Sequence, residues 1–288
     1  MTNVRRRGRP GAAPAAAGQQ AGERYSRQMN IPFIGREGQE KISRGTAAIV
    51  GVGGLGSVAA ELLCRAGVGS LLLIDHDAIE ESNLARQSLY TEDDVGKKKA
   101  VTAAKRLQDV NSKTKITTST RKLTTKKDVK ILDGYDVVLD CTDNLDVRLL
   151  LNAYCVREQR PFVHCAVVQS RVRVLVVDSR MRTACLACLL AGRQEEAPPA
   201  RMGIIVTTVH VGASLQANAA LQLLLGETPS RNLVSFDAWT GVYHSFTIER
   251  NPKCTVCGKK KGPELNERVK RALTNARKTP ERQYVNLR

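Results

Sequence analysis

Residues 46–56 read Thr46-Ala47-Ala48-Ile49-Val50-Gly51-Val52-Gly53-Gly54-Leu55-Gly56, and the fold can be built outward from them. A short apolar run ends in a cluster of glycines. Glycine permits positive φ and lets backbone N–H groups approach a phosphate at the start of a helix. An alanine-rich helical pattern follows over Ser57–Ala66, then Gly67-Val68-Gly69, then the strand-like run Ser70–Asp75. Strand, glycine turn, helix and strand make a βαβ unit. Gly51, Gly53 and Gly56 satisfy the dinucleotide pattern G-x-G-x-x-G, with Gly54 inside it. Asp75, 19 residues beyond Gly56, stands where an acid takes ribose hydroxyls. The pattern points to a nucleotide without saying which, and a nicotinamide cofactor stays allowed at this step.

The rest of the chain continues the alternation. Lys97–Val110 reads as a helix, Lys115–Thr120 as an exposed strand, Asp136–Asp140 as a buried parallel strand and Asp146–Glu158 as a helix. Pro161–Val168 and Arg171–Asp178 form a hairpin about Gln169-Ser170, and Gln194–Met202 is a breaker-rich loop. Val209–Leu225 is a long apolar helix, and strands follow near Val234–Phe236 and Val242–Ile248. Upstream, Glu23 to Lys41 is expected to hold a short helix followed by a loop. The expected fold is α/β: a Rossmann-like, doubly wound, mainly parallel sheet with an antiparallel extension. Residues 23–258 form one nucleotide-binding domain, flanked by a disordered basic tail at 1–22 and a basic, part-helical or disordered tail at 259–288.

A chain of 288 residues with 42% hydrophobic and 25% charged residues folds rather than staying disordered. No run approaches the roughly 18–20 uncharged apolar residues of a membrane span. Gly11–Ala21 offers no apolar core for a secretory signal, so the expectation is a cytoplasmic protein with no membrane partner. The net charge is +17, of which +4 lies in residues 1–24 and +8 in residues 253–288. The simplest role for such ends is solubility; an acidic partner or nucleic acid stays open as their target.

Three segments move the reading away from redox chemistry: Ser82-Asn83-Leu84-Ala85-Arg86-Gln87, Gly96-Lys97-Lys98-Lys99-Ala100 and Asp140-Cys141-Thr142-Asp143-Asn144. Ligands of open α/β sheets bind outside the carboxyl ends of the strands, so these segments should meet the glycine loop and Asp75 in one crevice. A hydride carrier needs little positive charge beyond its pyrophosphate. A triphosphate needs cations and a metal-binding carboxylate, which Arg86, Lys99 and Asp143 provide; Lys97 and Lys98 read as solvated. Eight cysteines are present. Cys185-Leu-Ala-Cys188 and Cys254-Thr-Val-Cys257 have the pairing of a tetrahedral Cys₄ zinc site, with 65 residues between the pairs; a redox dithiol or disulfides are the alternatives. Cys64, Cys141, Cys155 and Cys165 read as core residues.

On Arg24-Tyr25-Ser26-Arg27-Gln28, the GVGGLG loop, the SNLARQ and GKKKA segments, DCTDN and the two C-x-x-C pairs, residues 23–258 resemble the adenylating enzymes that activate ubiquitin-like and sulfur-carrier proteins. These include molybdopterin-synthase and thiamine sulfur-carrier adenylyltransferases and the catalytic half of ubiquitin-activating enzymes. The resemblance implies that ATP lies over Gly51, Gly53, Gly54 and Gly56 with its ribose on Asp75. It implies that Ser82, Asn83, Arg86 and Lys99 serve the phosphates, and that Asp143, with Asn144 beside it, holds Mg²⁺. It further implies a structural Zn²⁺ on Cys185, Cys188, Cys254 and Cys257, and a homodimer in which Arg27 acts on the partner's site. The implied substrate is a small protein ending in Gly-Gly; its C-terminal carboxylate becomes an acyl-adenylate and pyrophosphate leaves.

Ubiquitin-activating relatives also carry a nucleophilic cysteine in the loop over the adenylate. Here residues 193–208 contain none, so adenylation alone is the leading reading. A full activating enzyme that forms a thioester, on Cys165 or Cys141, and passes the modifier to a conjugating enzyme is the alternative. A sulfurtransferase is a further candidate partner. An RNA-modifying adenylating relative and a nicotinamide oxidoreductase stand behind both.

Overall fold

A computed structural model describes residues 23–191, 202–229 and 232–258. Among them, eight strands form one sheet: β1 (Thr46–Val50), β2 (Ser70–Ile74), β3 (Lys115–Ser119), β4 (Val137–Asp140), β5 (Phe162–Val168), β6 (Arg171–Val177), β7 (Asn232–Asp237) and β8 (Tyr243–Thr247). Their order is β3-β2-β1-β4-β5-β6-β7-β8. The first five are parallel and the last three pairings antiparallel. The longer helices are α1 (Gly35–Arg44), α2 (Gly54–Ala66), α3 (Lys99–Val110), α4 (Leu145–Arg157) and α5 (Val206–Leu225).

Both faces of the central parallel strands β1, β2 and β4 are buried. In β1, Ala47 and Ile49 pack with Leu63, Leu107 and Ala217 on the side of α2, α3 and α5. Ala48 and Val50, pointing the other way, pack with Leu151, Tyr154 and Phe162 on the side of α4. The two-residue period of a strand divides one apolar run between two cores.

Several expected boundaries move. At the N-terminal end the short helix is there, at Ser26–Met29, but part of the expected loop is the ten-residue helix α1. Its glycines explain why the sequence hides it. A Cβ on Gly38 would stand 2.9 Å from Leu225 Cδ2, so glycine lets α1 lie close against the end of α5. Tertiary packing overrides a poor local propensity there. Helix α2 begins at Gly54, not Ser57, so half of the glycine cluster is helical. Helix α5 begins at Val206 rather than Val209, through the β-branched Val206-Thr207-Thr208. The hairpin after Val168 forms as expected, with Gln169 at φ 55°. The expected tails at 1–22 and 259–288 and most of the breaker-rich loop lie outside the described residues. No helix among the described residues is long and apolar enough to cross a membrane.

Candidate active site

The glycine loop leaves β1 between β2 and β4, where the strand order puts β1 at the centre of the parallel half. Gly51 adopts φ 85°, and a Cβ there would lie 2.7 Å from the Cys141 carbonyl oxygen. A Cβ on Gly56 would lie 1.8 Å from the Gly51 oxygen. These two glycines are required because loop, helix and the chain after β4 occupy the same space. Gly53 precedes α2, and Gly54 is wedged near Val209 of α5 and the Arg86 carbonyl, 3.0 and 3.6 Å from where its Cβ would be.

Hydrogen bonds tie Asp75, Tyr90 and the start of α3 to the glycine loop, while the other expected residues keep local partners. Asp75, 8% exposed, accepts the Val52 N–H at 2.7 Å and the Asp77 N–H at 2.8 Å. Tyr90 donates its hydroxyl to the Val52 carbonyl at 2.7 Å and reaches the Lys99 carbonyl at 3.2 Å. Burial, with Asp75 and Asp94 nearby, pushes that phenol well above its usual pKa. Lys99 opens α3 and is nearly buried, its Nζ 3.5 Å from Asp77. Lys97 and Lys98 are exposed as expected but engaged, Lys97 with Asp94 at 3.3 Å and Lys98 with the His76 carbonyl at 2.8 Å. Asn83 is buried and accepts the Glu80 N–H at 3.2 Å; Ser82 lies 3.4 Å from Glu80 Oε2, and Ser82's carbonyl accepts from Arg86 Nη1 at 2.8 Å. Asn144 caps α4 by accepting the Val147 N–H. Asp143 is exposed and makes no hydrogen bond or ion pair among the described residues. A carboxylate left without a protein donor beside a phosphate cradle fits a hard cation.

Beneath Asp143 lies a network that reading the sequence did not find. Asp140 is fully buried at the end of β4. Its carboxylate accepts the Thr142 N–H at 3.1 Å, the Thr142 hydroxyl at 2.7 Å and His164 Nδ1–H at 2.7 Å. Arg148 donates from Nε and Nη2 to the Thr142 carbonyl at 3.0 and 2.5 Å. Gln216, buried in α5, donates to the carbonyls of Asp140 and Val163 at 2.8 Å each and accepts from Cys141 Sγ. Thr142 is therefore clamped on both sides, which fixes the residue that follows it.

This network carries a pH dependence. Burial outweighs the pull of Asp140 and holds His164 below the usual imidazole pKa. Burial would raise Asp140, but the His164 hydrogen bond and charge neighbours outweigh it and hold the carboxyl below its usual value. Native His164 is thus neutral and Asp140 ionised, while an unfolded chain takes up the histidine proton first, from about pH 6.5 downward. Stability should fall as pH drops through that window, and again below about pH 4 as the unfolded state's carboxylate protonates. Urea unfolding at pH 7.5, 6.0 and 5.0 checks it: His164→Asn, which keeps an N–H for Asp140, should flatten the upper step. An unchanged slope would assign the step elsewhere.

The C-x-x-C pairs also converge. The Sγ atoms of Cys185 and Cys188 are 3.9 Å apart, Cys185 and Cys254 3.7 Å, and Cys188 and Cys257 3.4 Å. A tetrahedron with metal–sulfur bonds of about 2.3 Å has edges of about 3.8 Å, so four thiolates here could hold one zinc ion. Cys64, Cys141, Cys155 and Cys165 are buried, and burial pushes each thiol pKa up. None of them is poised as a nucleophile.

Arg27 lies on the Ser26–Met29 turn, exposed and unpaired among the described residues. Its neighbours anchor the turn: Gln28 donates to the Ala66 carbonyl at 3.1 Å, and Asn111 donates to the Tyr25 hydroxyl at 2.9 Å over Gly67. Ala66 is the last residue of α2 and Gly54 the first. At 1.5 Å per residue the arm is docked about 18 Å from the glycine loop.

Strand order and the glycine loop after β1 define a Rossmann-like α/β protein. A family model described as the ThiF family matches residues 25–256, and the chain belongs to that family. It is 37% identical over 248 residues to the sulfur carrier protein adenylyltransferase of Thermus thermophilus, covering 82% of this chain and 90% of that one. The sulfur carrier protein ThiS adenylyltransferase of Escherichia coli is 36% identical over 237 residues, covering 82% and 94%. Among solved structures, Escherichia coli MccB with ATP superposes with a TM-score of 0.71 at 26% identity, covering 82% of this chain and 74% of that one.

Proposed function

We propose that this protein uses ATP to adenylate the C-terminal glycine of a sulfur-carrier protein, releasing pyrophosphate. The observation that supports the reading is the glycine loop after β1, tied to Asp75 and through Tyr90 to Lys99, in a chain similar along most of its length to named adenylyltransferases. The carrier's carboxylate attacks the α-phosphorus, a P–O bond forms, and the bond to the β-phosphate oxygen breaks. Two anions must approach each other, and fixed cations reduce that cost without reorganising during the step. Arg86 and Lys99 supply such cations, Asp75 takes the ribose hydroxyls, and Asp143 is the ligand for Mg²⁺, which would neutralise the leaving pyrophosphate. Structural zinc belongs on the four clustered cysteines. No thiol outside that cluster is exposed among the described residues, which favours adenylation without a thioester.

Arg27 acts in trans in a homodimer. The arm's docking at the far end of α2, about 18 Å from its own glycine loop, supports presentation by a second copy. Mixing Arg27→Ala with Asp143→Ala chains should restore about a quarter of wild-type activity at random reassortment, since each mixed dimer keeps one intact site. No restoration would place Arg27 in cis or outside the site. The substrate reading is tested by ATP–pyrophosphate exchange against small β-grasp proteins ending in Gly-Gly. Stimulation by tRNA but by none of these would replace the carrier with RNA, and NADH binding without ATP binding would end the reading.

A further inference from the structure

The charge in the body of the protein is not spread out. Residues 25–252 carry a net +5, yet residues 113–130 alone contain seven Lys/Arg against one Asp, a net +6. This segment comprises the edge strand β3 and the turn and 3₁₀ segment that follow it. Six of the cations, Lys113, Lys115, Arg121, Lys122, Lys127 and Lys130, are exposed. None of the six is in an ion pair among the described residues. The one acid offers them no neutralising partner: Asp128 is occupied by the N–H groups of Thr124 and Thr125 at 2.9 and 2.7 Å and by both hydroxyls. Those bonds hold its carboxyl down to about 2.

We infer that this strip is a docking surface for the phosphate backbone of a nucleic-acid double helix. A five-residue strand is about 16 Å long, so cations placed before, along and beyond it can meet several successive phosphates. An acidic protein fits less well. Stable protein interfaces centre on an apolar or aromatic anchor and are depleted in lysine, and none of the large exposed apolar side chains lies within residues 113–130. The same absence of an exposed aromatic removes the stacking platform that single strands use. Backbone contact of this kind is insensitive to base sequence and strongly salt-dependent.

The plainer role for edge-strand lysines is to keep two sheets from pairing, and the variants separate it. Arg121→Gln, Lys122→Gln, Lys127→Gln and Lys130→Gln combined in the full-length protein leave Lys113 and Lys115 to guard the strand. Binding to labelled 20-base-pair RNA and DNA duplexes is followed by fluorescence anisotropy between 50 and 200 mM salt. The basic ends are common to both proteins, so the difference belongs to the strip. The variant should bind at least about tenfold more weakly, with a log–log salt slope shallower by about 3 to 4, and comparison of the two duplexes tells which helix is preferred. ATP–pyrophosphate exchange should stay at the wild-type level, which keeps this test independent of the adenylation reading. Unchanged affinity and slope for both duplexes would overturn the inference. So would loss of binding to polyglutamate alone, which would make the partner a protein. Aggregation of Lys113→Gln/Lys115→Gln, with duplex binding intact in both variants, would leave edge protection as the strip's role.

Discussion

Asp143→Ala should reduce ATP–pyrophosphate exchange by at least about a thousandfold while moving the thermal midpoint by less than about 2 °C. The asymmetry follows from its surroundings. Asp143 is exposed and accepts nothing among the described residues, so its removal costs folding about what a neutral surface substitution costs. Its position, by contrast, is built with buried material: Asp140 and Arg148 grip Thr142, and Gln216 holds the carbonyl of Asp140. Such a platform under an unpartnered carboxylate makes sense if the carboxylate meets a cation during phosphorus chemistry. The same change should abolish the Mg²⁺ dependence of ATP binding in calorimetry. Near-normal exchange would move the metal elsewhere, with the Asp75-His76-Asp77 group as the alternative donor set. Arg148→Lys offers a contrast. It keeps charge but loses the two-pronged grip on Thr142, so it should lower the rate by less than Asp143→Ala while also reducing stability.

The difference between these residues in legibility has a physical origin. The glycine cradle could be read because glycine is the only residue that fits where a Cβ would strike backbone, and Gly51 and Gly56 are such places. Strands β1, β2 and β4 could be read because burial on both faces makes them continuous apolar runs. The clamp could not. His164 meets Asp140 only because β4 and β5 are parallel neighbours in a register that pairs those two Cα positions, and neither residue announces its partner from 24 positions away. Arg148 looks like any helix-surface arginine until its turn is known to face Thr142. Boundaries failed where tertiary contact decides, as with α1 under Leu225 and the β-branched start of α5. The basic strip was legible but averaged away, because charge counted over the whole middle of the chain hid a local excess behind a slightly acidic remainder.

With zinc on the four clustered cysteines, as proposed, Cys188→Ser should release it and lower the thermal midpoint by more than about 10 °C, with exchange activity falling less than for Asp143→Ala. The two C-x-x-C pairs come from segments far apart in the chain. Cys185 precedes a five-residue helix tied to α4 by the Leu186 N–H to Asn152 at 3.0 Å. Cys254 and Cys257 lie in a tight turn after the edge strand β8, with the Gly258 N–H on the Cys254 carbonyl at 2.9 Å. Around that turn, Val256 and Cys257 are buried against the same core as Leu186 and Leu233. A metal holding both pairs would cross-link two segments distant in sequence, and a structural zinc site contributes free energy on the scale of about 10 kcal/mol. Replacing one thiolate by a hydroxyl removes a ligand that soft metals require. It leaves three sulfurs crowded within 4.8 Å of one another without the charge that justifies their approach. Loss should therefore begin locally, with faster hydrogen exchange in β8 and residues 249–258, before it reaches β1 and the glycine loop. Metal analysis and hydrogen exchange on the same sample test this. Retained zinc with unchanged protection in β8 would mean that the four cysteines are not the metal's ligands, and the two segments would need another source of cohesion.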